Sequence, residues 1–497
     1  MTDAPAPEPV RDLDWSPERA RAFGTRVLDL YAELLADLAE GPVSPRVTTA
    51  DVRDAVELEV PDEPLPDDEL LAHLGAIVDH SLRPGSGGFL AYISGGGTVP
   101  GAIADLLASG VNPNVGGWVL SPAATEIELQ LMRWLTRQFG LPPGAGGQLV
   151  PGGSLANLTA LKIARDHALA GVRVDGVRSG PPLTVYCTEE THFTVDRAAD
   201  VLGLGESSVR RIAVDDRLAM RVDDLVRVLD EDIAAGARPM AIAANGGATG
   251  TGAIDPIDEI ATVAARSGVW LHVDAAYGGA AVLSDELRPL LRGIERADSI
   301  TFDAHKWLYA PLVSAVLLLR DGSHAVGSFS AHASYVEQDR DVADRGVDLG
   351  FEGLQLSRSF AALRVWVGLL AHGRAAYARR IEHDAALTRW LAARIEAAPD
   401  LELACPPSLS ICCFRYVPEG VEDDDYVDRL NTRVMTELQL DGRVFPSNAV
   451  VGGRTAIRSC IVSYRTEAEH LQRLVELTQE IGARVHEAGL VHPQQPG

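Results

Sequence analysis

Lysine is nearly absent from this sequence. Among 497 residues there are only two lysines, Lys162 and Lys306, and arginine supplies the remaining strong positive charge. An amine can lose its proton and attack a carbonyl group, whereas a guanidinium effectively cannot. A lysine kept in an arginine-rich chain therefore indicates amine chemistry, with an incidental surface lysine as the alternative. Lys306 is the better candidate, because it follows a short apolar strand in a turn that also contains His305.

Other absences exclude whole classes of protein. The five cysteines include no Cys-x-x-Cys pair, so neither a disulfide framework nor a zinc site is indicated, and a reducing, cytoplasmic compartment fits. No apolar run reaches about 18 residues, so we expect no membrane span. The acidic, proline-rich N-terminus does not resemble a signal peptide. A net charge of −26 disfavours nucleic acids and anionic membranes as partners.

Strand and helix patterns alternate through the middle of the chain. This alternation predicts a mostly parallel sheet with helices on both faces. A long helical pattern follows at residues 357–394, and mixed strand and helix signals then indicate a smaller α+β domain. The predicted divisions are an N-terminal helical segment at 1–85 with 1–17 disordered, a large α/β domain at 86–372, a small domain at 373–490 and a disordered tail at 491–497.

Polar motifs follow the predicted strands, where parallel sheets bind their ligands. Pro151-Gly152-Gly153-Ser154 precedes a helix, and glycines beside free helix N–H groups suit a phosphate. Asp274 ends an apolar strand and needs a positive partner, such as a protonated ring nitrogen, unless it caps a helix. His192 either contacts a flat ring or transfers a proton, unless it is structural. With Lys306, these are the four attachments that pyridoxal 5′-phosphate needs.

The local sequences resemble the group II amino acid decarboxylases, which are fold-type I pyridoxal phosphate enzymes and include the aromatic-L-amino-acid, histidine and glutamate decarboxylases. The resemblance spans residues 89–465. Its most specific motifs are Gly153-Ser154-Leu155-Ala156-Asn157-Leu158, His272-Val273-Asp274-Ala275-Ala276-Tyr277-Gly278 and Asp303-Ala304-His305-Lys306-Trp307. It implies an α/β fold like that of aspartate aminotransferase, with a large, mostly parallel seven-stranded sheet domain and a small α+β C-terminal domain. It also implies a homodimer with its active site at the subunit interface.

The resemblance assigns a role to each site residue. Lys306 would form a Schiff base with the cofactor, Asp274 would keep the ring nitrogen protonated and His192 would stack on the ring. Tyr335 falls where relatives carry a loop tyrosine that assists protonation after carbon dioxide leaves. The other expected cofactor contacts are Gly153, Ser154, Thr249, Ala276, Asp303 and His305. Candidate substrate contacts are Tyr92, Asn114, Trp118, Arg358 and Arg458, and no metal is expected.

The expected activity is α-decarboxylation of a small-molecule L-amino acid, aromatic or related, to its amine and carbon dioxide. The same fold also permits oxidative deamination to an aldehyde, β-elimination or transamination. Relatives that form aldehydes tend to lack the loop tyrosine, so Tyr335 favours the amine. A non-catalytic regulatory protein that binds the cofactor is a further alternative. The retained Lys306 and the acidic charge disfavour it.

Overall fold

The computed structural model describes residues 10–330 and 346–489. Tyr335, the tail at 491–497 and the first nine residues of the chain lie outside them. The helices are α1 (Pro17–Glu40), α2 (Thr49–Val56), α3 (Asp67–Asp79), α4 (Val99–Val111), α5 (Pro122–Gln138), α6 (Gly153–Ala168), α7 (Val172–Asp175), α8 (Thr194–Val201), α9 (Val222–Ala234), α10 (Ile257–Ser267), α11 (Ser323–Phe329), α12 (Ala362–His372), α13 (Arg374–Ala397), α14 (Asp424–Asp441) and α15 (Ala468–Glu487). The strands are β1 (Phe89–Leu90), β2 (Gly146–Val150), β3 (Leu183–Cys187), β4 (Val209–Arg211), β5 (Arg238–Asn245), β6 (Trp270–Asp274), β7 (Ser299–Asp303), β8 (Ala315–Leu319), β9 (Leu401–Leu403), β10 (Ile411–Tyr416), β11 (Phe445–Val451) and β12 (Arg454–Cys460).

A seven-stranded sheet in the order β2-β8-β7-β6-β5-β3-β4 forms the centre of the large domain. Neighbours from β7 to β4 are parallel, while β8 is antiparallel to both β7 and β2. Every residue of β3, β6, β7 and β8 is buried. Separate apolar clusters lie on the two faces, one including α6 and α8 and the other α5, α9 and α10. The predicted fold, a mostly parallel sheet between helical layers, is confirmed.

A second, five-stranded sheet has the order β1-β11-β12-β10-β9. Its strands are antiparallel except for β1, which pairs in parallel with β11 through Phe89 and Phe445. Two residues near the start of the predicted large domain therefore complete the C-terminal sheet. The division of the chain at residues 86 and 373 stays a prediction.

The predicted long helix at 357–394 is two helices, α12 and α13. Gly373 separates them with a φ of 72°, a left-handed conformation that glycine adopts without steric cost. At the other end of the chain, Ser16 caps α1 by accepting a hydrogen bond from the Arg19 amide. Among the described residues, every helix is too short or too polar to traverse a bilayer.

Candidate active site

Lys306 lies in the turn after β7, at the carboxyl edge of the large sheet. The Lys306 amide donates to the carbonyl of Asp303, the last residue of β7, and this bond forms the turn. Lys306 Nζ lies 3.1 Å from Asp303 Oδ2. Although Asp303 is buried, its Oδ1 has no hydrogen-bond partner among the described residues. The turn thus places an amine beside a buried carboxylate.

Asp274 and His192 follow two other strands of the same sheet. At the end of β6, Asp274 Oδ2 accepts a hydrogen bond from Asn157 Nδ2 at 2.7 Å, and its Oδ1 accepts one from the Ala276 amide. His192 follows β3. Burial lowers the pKa of His192, while the charge of Asp274 raises it and that of Lys306 lowers it further. His192 is therefore mainly neutral near pH 7, and it lies within range of both charges.

The predicted phosphate-binding turn lies at the start of α6, and we call it the anion-binding turn. Gly152 has a φ of 95°, which favours glycine, and α6 begins without a capping side chain, so its first N–H groups remain available. A side chain at Gly153 would place Cβ 2.8 Å from Asp303 Oδ2, so the turn lies directly against the Lys306 loop. Ser154 is exposed at this end of the helix. His305 accepts from the Ser314 amide through Nδ1.

Arg458 on β12 connects the small domain to the loop that contains Thr249. Its Nη2 donates to the Thr249 carbonyl at 2.7 Å and its Nε to the Gly250 carbonyl at 2.9 Å. A further bond, from Nη1, goes to the Tyr92 carbonyl at 2.9 Å. Binding of a substrate carboxylate by Arg458 stays a prediction, and these bonds count against it. Ala276, beside Asp274, is buried.

Arg358 and Asn114 also make their contacts within the fold. The guanidinium of Arg358 is buried, pairs with Glu128 and donates to Gln148 Oε1 at 2.8 Å. Asn114 Oδ1 accepts from the amides of Gly116 and Arg358. Substrate contacts at these two positions stay predictions, and the geometry supports a role in holding the loops together.

Two aromatic residues complete the predicted substrate set. Tyr92 is 61% exposed, and its carbonyl is tied through Arg458 to the Thr249 loop. Trp118 is partly exposed, and its Nε1 donates to Glu126. Tyr92 is therefore the member of the set that combines an exposed side chain with a link to the loop that contains Thr249.

Sequence reasoning assigned no role to Asn157. This residue lies on α6 four positions after Gly153, so both are on the same face of the helix, and that spacing is the signal that could have identified it. Its contact with Asp274 makes it part of the site. Within residues 10–330 and 346–489, no cluster of three or more histidine, cysteine or acidic side chains is arranged to hold a metal ion.

The residues present fit pyridoxal phosphate. The uncapped start of α6 suits its phosphate group, because free N–H groups and the helix dipole attract an anion. The buried carboxylate of Asp274 suits a protonated ring nitrogen. The amine of Lys306 suits its aldehyde. These three groups occur on adjacent elements at one edge of the sheet.

Comparison with known proteins identifies the family. Residues 50–417 match the pyridoxal-dependent decarboxylase conserved domain. An aromatic-L-amino-acid decarboxylase of Bacillus atrophaeus is 32% identical, covering 97% of this chain and 98% of the relative. A phenylacetaldehyde synthase of Arabidopsis thaliana is 28% identical over 93% of this chain and 96% of its own.

Solved structures give the same answer. The crystal structure of Oryza sativa TDC with PLP and tryptamine matches with a TM-score of 0.89 and 27% identity, covering 95% of this chain and all of that one. The chain therefore matches, in both sequence and fold, a protein whose structure contains the cofactor. The chain therefore belongs to the pyridoxal-dependent decarboxylase family and is a pyridoxal-phosphate-dependent carboxy-lyase.

Proposed function

We propose that the protein removes the α-carboxylate of an aromatic L-amino acid and releases the amine and carbon dioxide, with Lys306 as the residue that holds the cofactor covalently. The observation that carries the proposal is the convergence of Lys306, Asp274 and His192 at one sheet edge, in a chain similar over 97% of its length to an aromatic-L-amino-acid decarboxylase.

Each residue has a distinct part in the proposed reaction. When bound, pyridoxal phosphate supplies an electron sink for the electron pair that remains as carbon dioxide departs. Asp274 would place its carboxylate toward the ring nitrogen and so favour the protonated form of that nitrogen. The start of α6 binds the phosphate. Lys306 contributes Nζ, with Asp303 Oδ2 at 3.1 Å to hold the amine in place.

The reaction also requires a proton, because the product carries hydrogen on Cα where the substrate carried its carboxylate. His192 is the candidate donor within the described residues, and Tyr335 is a second candidate outside them. Proton donation requires the imidazolium form of His192, and because burial lowers the pKa of His192, this form is the minor one near pH 7. A change of His192 to Gln should slow the protonation step.

An aromatic substrate is supported by the relatives and by one local feature. The relative in Bacillus atrophaeus is named for aromatic amino acids, and the rice structure contains tryptamine. Tyr92 presents an exposed ring beside the Thr249 loop, and aromatic rings attract one another in offset or edge-to-face geometry. We infer that Tyr92 contacts the substrate ring.

The two lysines offer a matched test of the proposed cofactor attachment. Borohydride reduction of the loaded enzyme, followed by peptide mass analysis, should add the cofactor mass to Lys306 and not to Lys162. Lys306→Ala should abolish amine formation, while Lys162→Ala should retain it. Label on Lys162, or turnover by Lys306→Ala, would refute the assignment. Product analysis with a panel of L-amino acids should show the largest release of carbon dioxide with tryptophan, tyrosine or phenylalanine.

Oxidative deamination to an aldehyde is the second candidate, because one relative is a phenylacetaldehyde synthase. Tyr335 favours the amine, since the resemblance assigns it to the position where relatives carry the loop tyrosine. Measuring amine, aldehyde, ammonia and peroxide in the same reaction separates the two outcomes. Equal amounts of aldehyde and ammonia, with peroxide and without amine, would establish the second candidate.

We infer that the enzyme is a homodimer. Large apolar side chains are exposed along α4 and α12 and in the loop before β8, namely Ile103, Leu106, Leu107, Leu312 and Leu370. An apolar surface of this kind is typical of a subunit interface. Leu106→Glu should produce monomers in sedimentation velocity, while Val174→Glu, at an exposed apolar residue on α7, should not. A wild-type protein that sediments as an active monomer would contradict the inference.

We infer a cytoplasmic location from the state of the cysteines. All five are free thiols, and four of them are buried, as expected where disulfides do not form. Cell fractionation with an antibody against the chain tests this inference. The five residues are Cys187, Cys405, Cys412, Cys413 and Cys460.

A further inference from the structure

We propose that Asn157 is a positioning residue whose single carboxamide orients the hydrogen bonds of two side chains at the proposed cofactor site, Asp274 and His192. The inference rests on the proposed placement of the cofactor ring against those two residues. Asn157 is 1% exposed on α6, between the anion-binding turn and the sheet. It does not need to touch the cofactor, since its effect passes through hydrogen bonds.

The contacts of Asn157 determine which way its amide points. An ionised carboxylate can only accept, so the atom 2.7 Å from Asp274 Oδ2 must be Nδ2. Its Oδ1 then faces Thr301 Oγ1 at 2.6 Å and His272 Nε2 at 3.0 Å, and both of these must donate. The second N–H of Asn157 goes to Thr194 Oγ1 at 3.0 Å. All four hydrogen-bonding positions of the carboxamide are therefore satisfied.

His272 continues this chain of oriented hydrogen bonds away from the site. Burial lowers the pKa of His272 to about 4, so the ring is neutral near pH 7 and only one nitrogen carries hydrogen. Because Nε2 donates to Asn157, Nδ1 must accept, and it lies 2.9 Å from Ser299 Oγ. Ser299 Oγ in turn accepts from Trp270 Nε1 at 2.8 Å. Every donor from Trp270 to Asn157 thus points toward Asp274, and each buried bond polarises the next.

A second set of hydrogen bonds, here called the second arm, leads from Asn157 through Thr194 to His192. Since Thr194 Oγ1 accepts from Asn157, its own hydrogen is available for His192 Nδ1 at 3.0 Å. The Thr194 amide also donates to the same nitrogen, at 3.4 Å. Nδ1 of His192 is therefore an acceptor, and the hydrogen of the neutral ring is on Nε2. One carboxamide thus stabilises the charge on Asp274 and selects the tautomer of His192.

A cofactor analogue separates this role from a merely structural one. The apoenzyme is titrated with pyridoxal phosphate and with the analogue in which the ring nitrogen is replaced by C–H, and both dissociation constants are measured by fluorescence. Asn157→Ala should weaken binding of pyridoxal phosphate by about tenfold to a hundredfold, the usual effect of losing a hydrogen bond to a charged group. The affinity for the analogue should fall much less, because the analogue has no ring N–H proton for Asp274 to attract.

Thr159→Val is the matched control. Thr159 is buried on the same helix, but its hydroxyl donates to the Leu155 carbonyl, so neither ligand should lose affinity. If Asn157→Ala does not fold, Thr301→Val provides the test instead, because it keeps the side-chain volume and removes one hydrogen-bond donor to Asn157. It should weaken pyridoxal phosphate binding by roughly threefold, with little effect on the analogue. Equal losses for both ligands, or no loss, would overturn the role of Asn157.

The wild-type protein tests the underlying placement of the ring. If wild type binds the analogue as tightly as pyridoxal phosphate, Asp274 does not face the ring nitrogen, and the proposed site arrangement fails. A wild-type preference that Asn157→Ala leaves unchanged refutes only the present inference. The second arm has its own readout. Thr194→Val removes the hydroxyl donor and leaves only the longer bond from the Thr194 amide, at 3.4 Å, so the nitrogen NMR signals of His192 should shift toward a mixture of tautomers. Unchanged signals would refute that arm.

Discussion

The buried pair of Arg358 and Glu128 gives a quantitative prediction that also separates a structural role for Arg358 from a substrate role. Glu128 is 1% exposed and Arg358 is 6% exposed. Besides Arg358, the Leu149 amide donates to Glu128 Oε1, while Glu128 Oε2 has no partner among the described residues. Arg358→Met should therefore leave the buried carboxyl group of Glu128 with little compensation, so that it is either charged without a partner or protonated at a cost. Breaking such a pair costs about 3–5 kcal/mol in free energy of unfolding.

The pH dependence of this loss has a definite sign. Burial raises the pKa of Glu128 even in the intact pair, and the charge of Arg358 lowers it. Without Arg358 the pKa of Glu128 rises further, so the folded variant keeps a proton that the unfolded chain releases above about pH 4.3. The folded state of the variant is thus penalised as the pH rises. The difference in stability from wild type should be largest near pH 7 and should shrink below about pH 5.

Urea unfolding at pH 5 and pH 7, with steady-state kinetics on the same samples, provides the assay. The double variant Glu128→Leu, Arg358→Met should recover most of the lost stability, because it leaves no unpaired charge. Arg389→Met is the control, since its partner Glu286 is exposed and the pair should contribute less than about 1 kcal/mol. Wild-type stability in Arg358→Met together with a raised KM would refute the reasoning and place Arg358 at the substrate.

Two further predictions concern the surroundings of Lys306. Burial raises the pKa of Asp384 to about 6, so between about pH 4 and that value the folded protein holds a proton that the unfolded chain gives up. The free energy of unfolding should fall as the pH rises through this window, and Asp384→Asn should remove that slope in urea titrations; an unchanged slope would contradict the assignment. Gly153→Ala should weaken cofactor binding in equilibrium dialysis by about tenfold, because the added Cβ would lie 2.8 Å from Asp303 Oδ2. Gly75→Ala is the control, since Gly75 has open space around it and this variant should bind the cofactor normally. Equal affinity in both glycine variants would contradict the close approach.

The sequence predicts the large domain well, because its elements are local patterns. A strand such as β3, residues 183–187, is a short apolar run of the kind that a local pattern predicts. The positions of Lys306, Asp274 and His192 after strands follow from the same alternation, since parallel strands bring their carboxyl ends to one edge. A local pattern was therefore enough to predict which residues come together.

The remaining features depend on contacts between distant parts of the chain. Two residues, Phe89 and Leu90, form β1 only because β11 lies beside them, and no local pattern predicts that pairing. The break at Gly373 needs a left-handed φ that a helical periodicity does not reveal. For Arg458, the charge predicts a substrate carboxylate as partner, but it does not reveal the hydrogen bonds to the carbonyl groups of Thr249 and Gly250, more than two hundred residues away. Partners of this kind are set by tertiary structure.

The scarcity of lysine acquires a physical explanation from these contacts. Arg358, Arg415 and Arg458 are each buried, and each donates several hydrogen bonds in fixed directions, which the planar guanidinium does better than an ammonium group. Lys162 is also held in place, by an ion pair with Asp166 at 2.6 Å. Lys306 differs because its partner, Asp303, faces the anion-binding turn of α6. Arginine therefore provides the structural contacts of this fold, and the remaining lysine is placed where an amine can react.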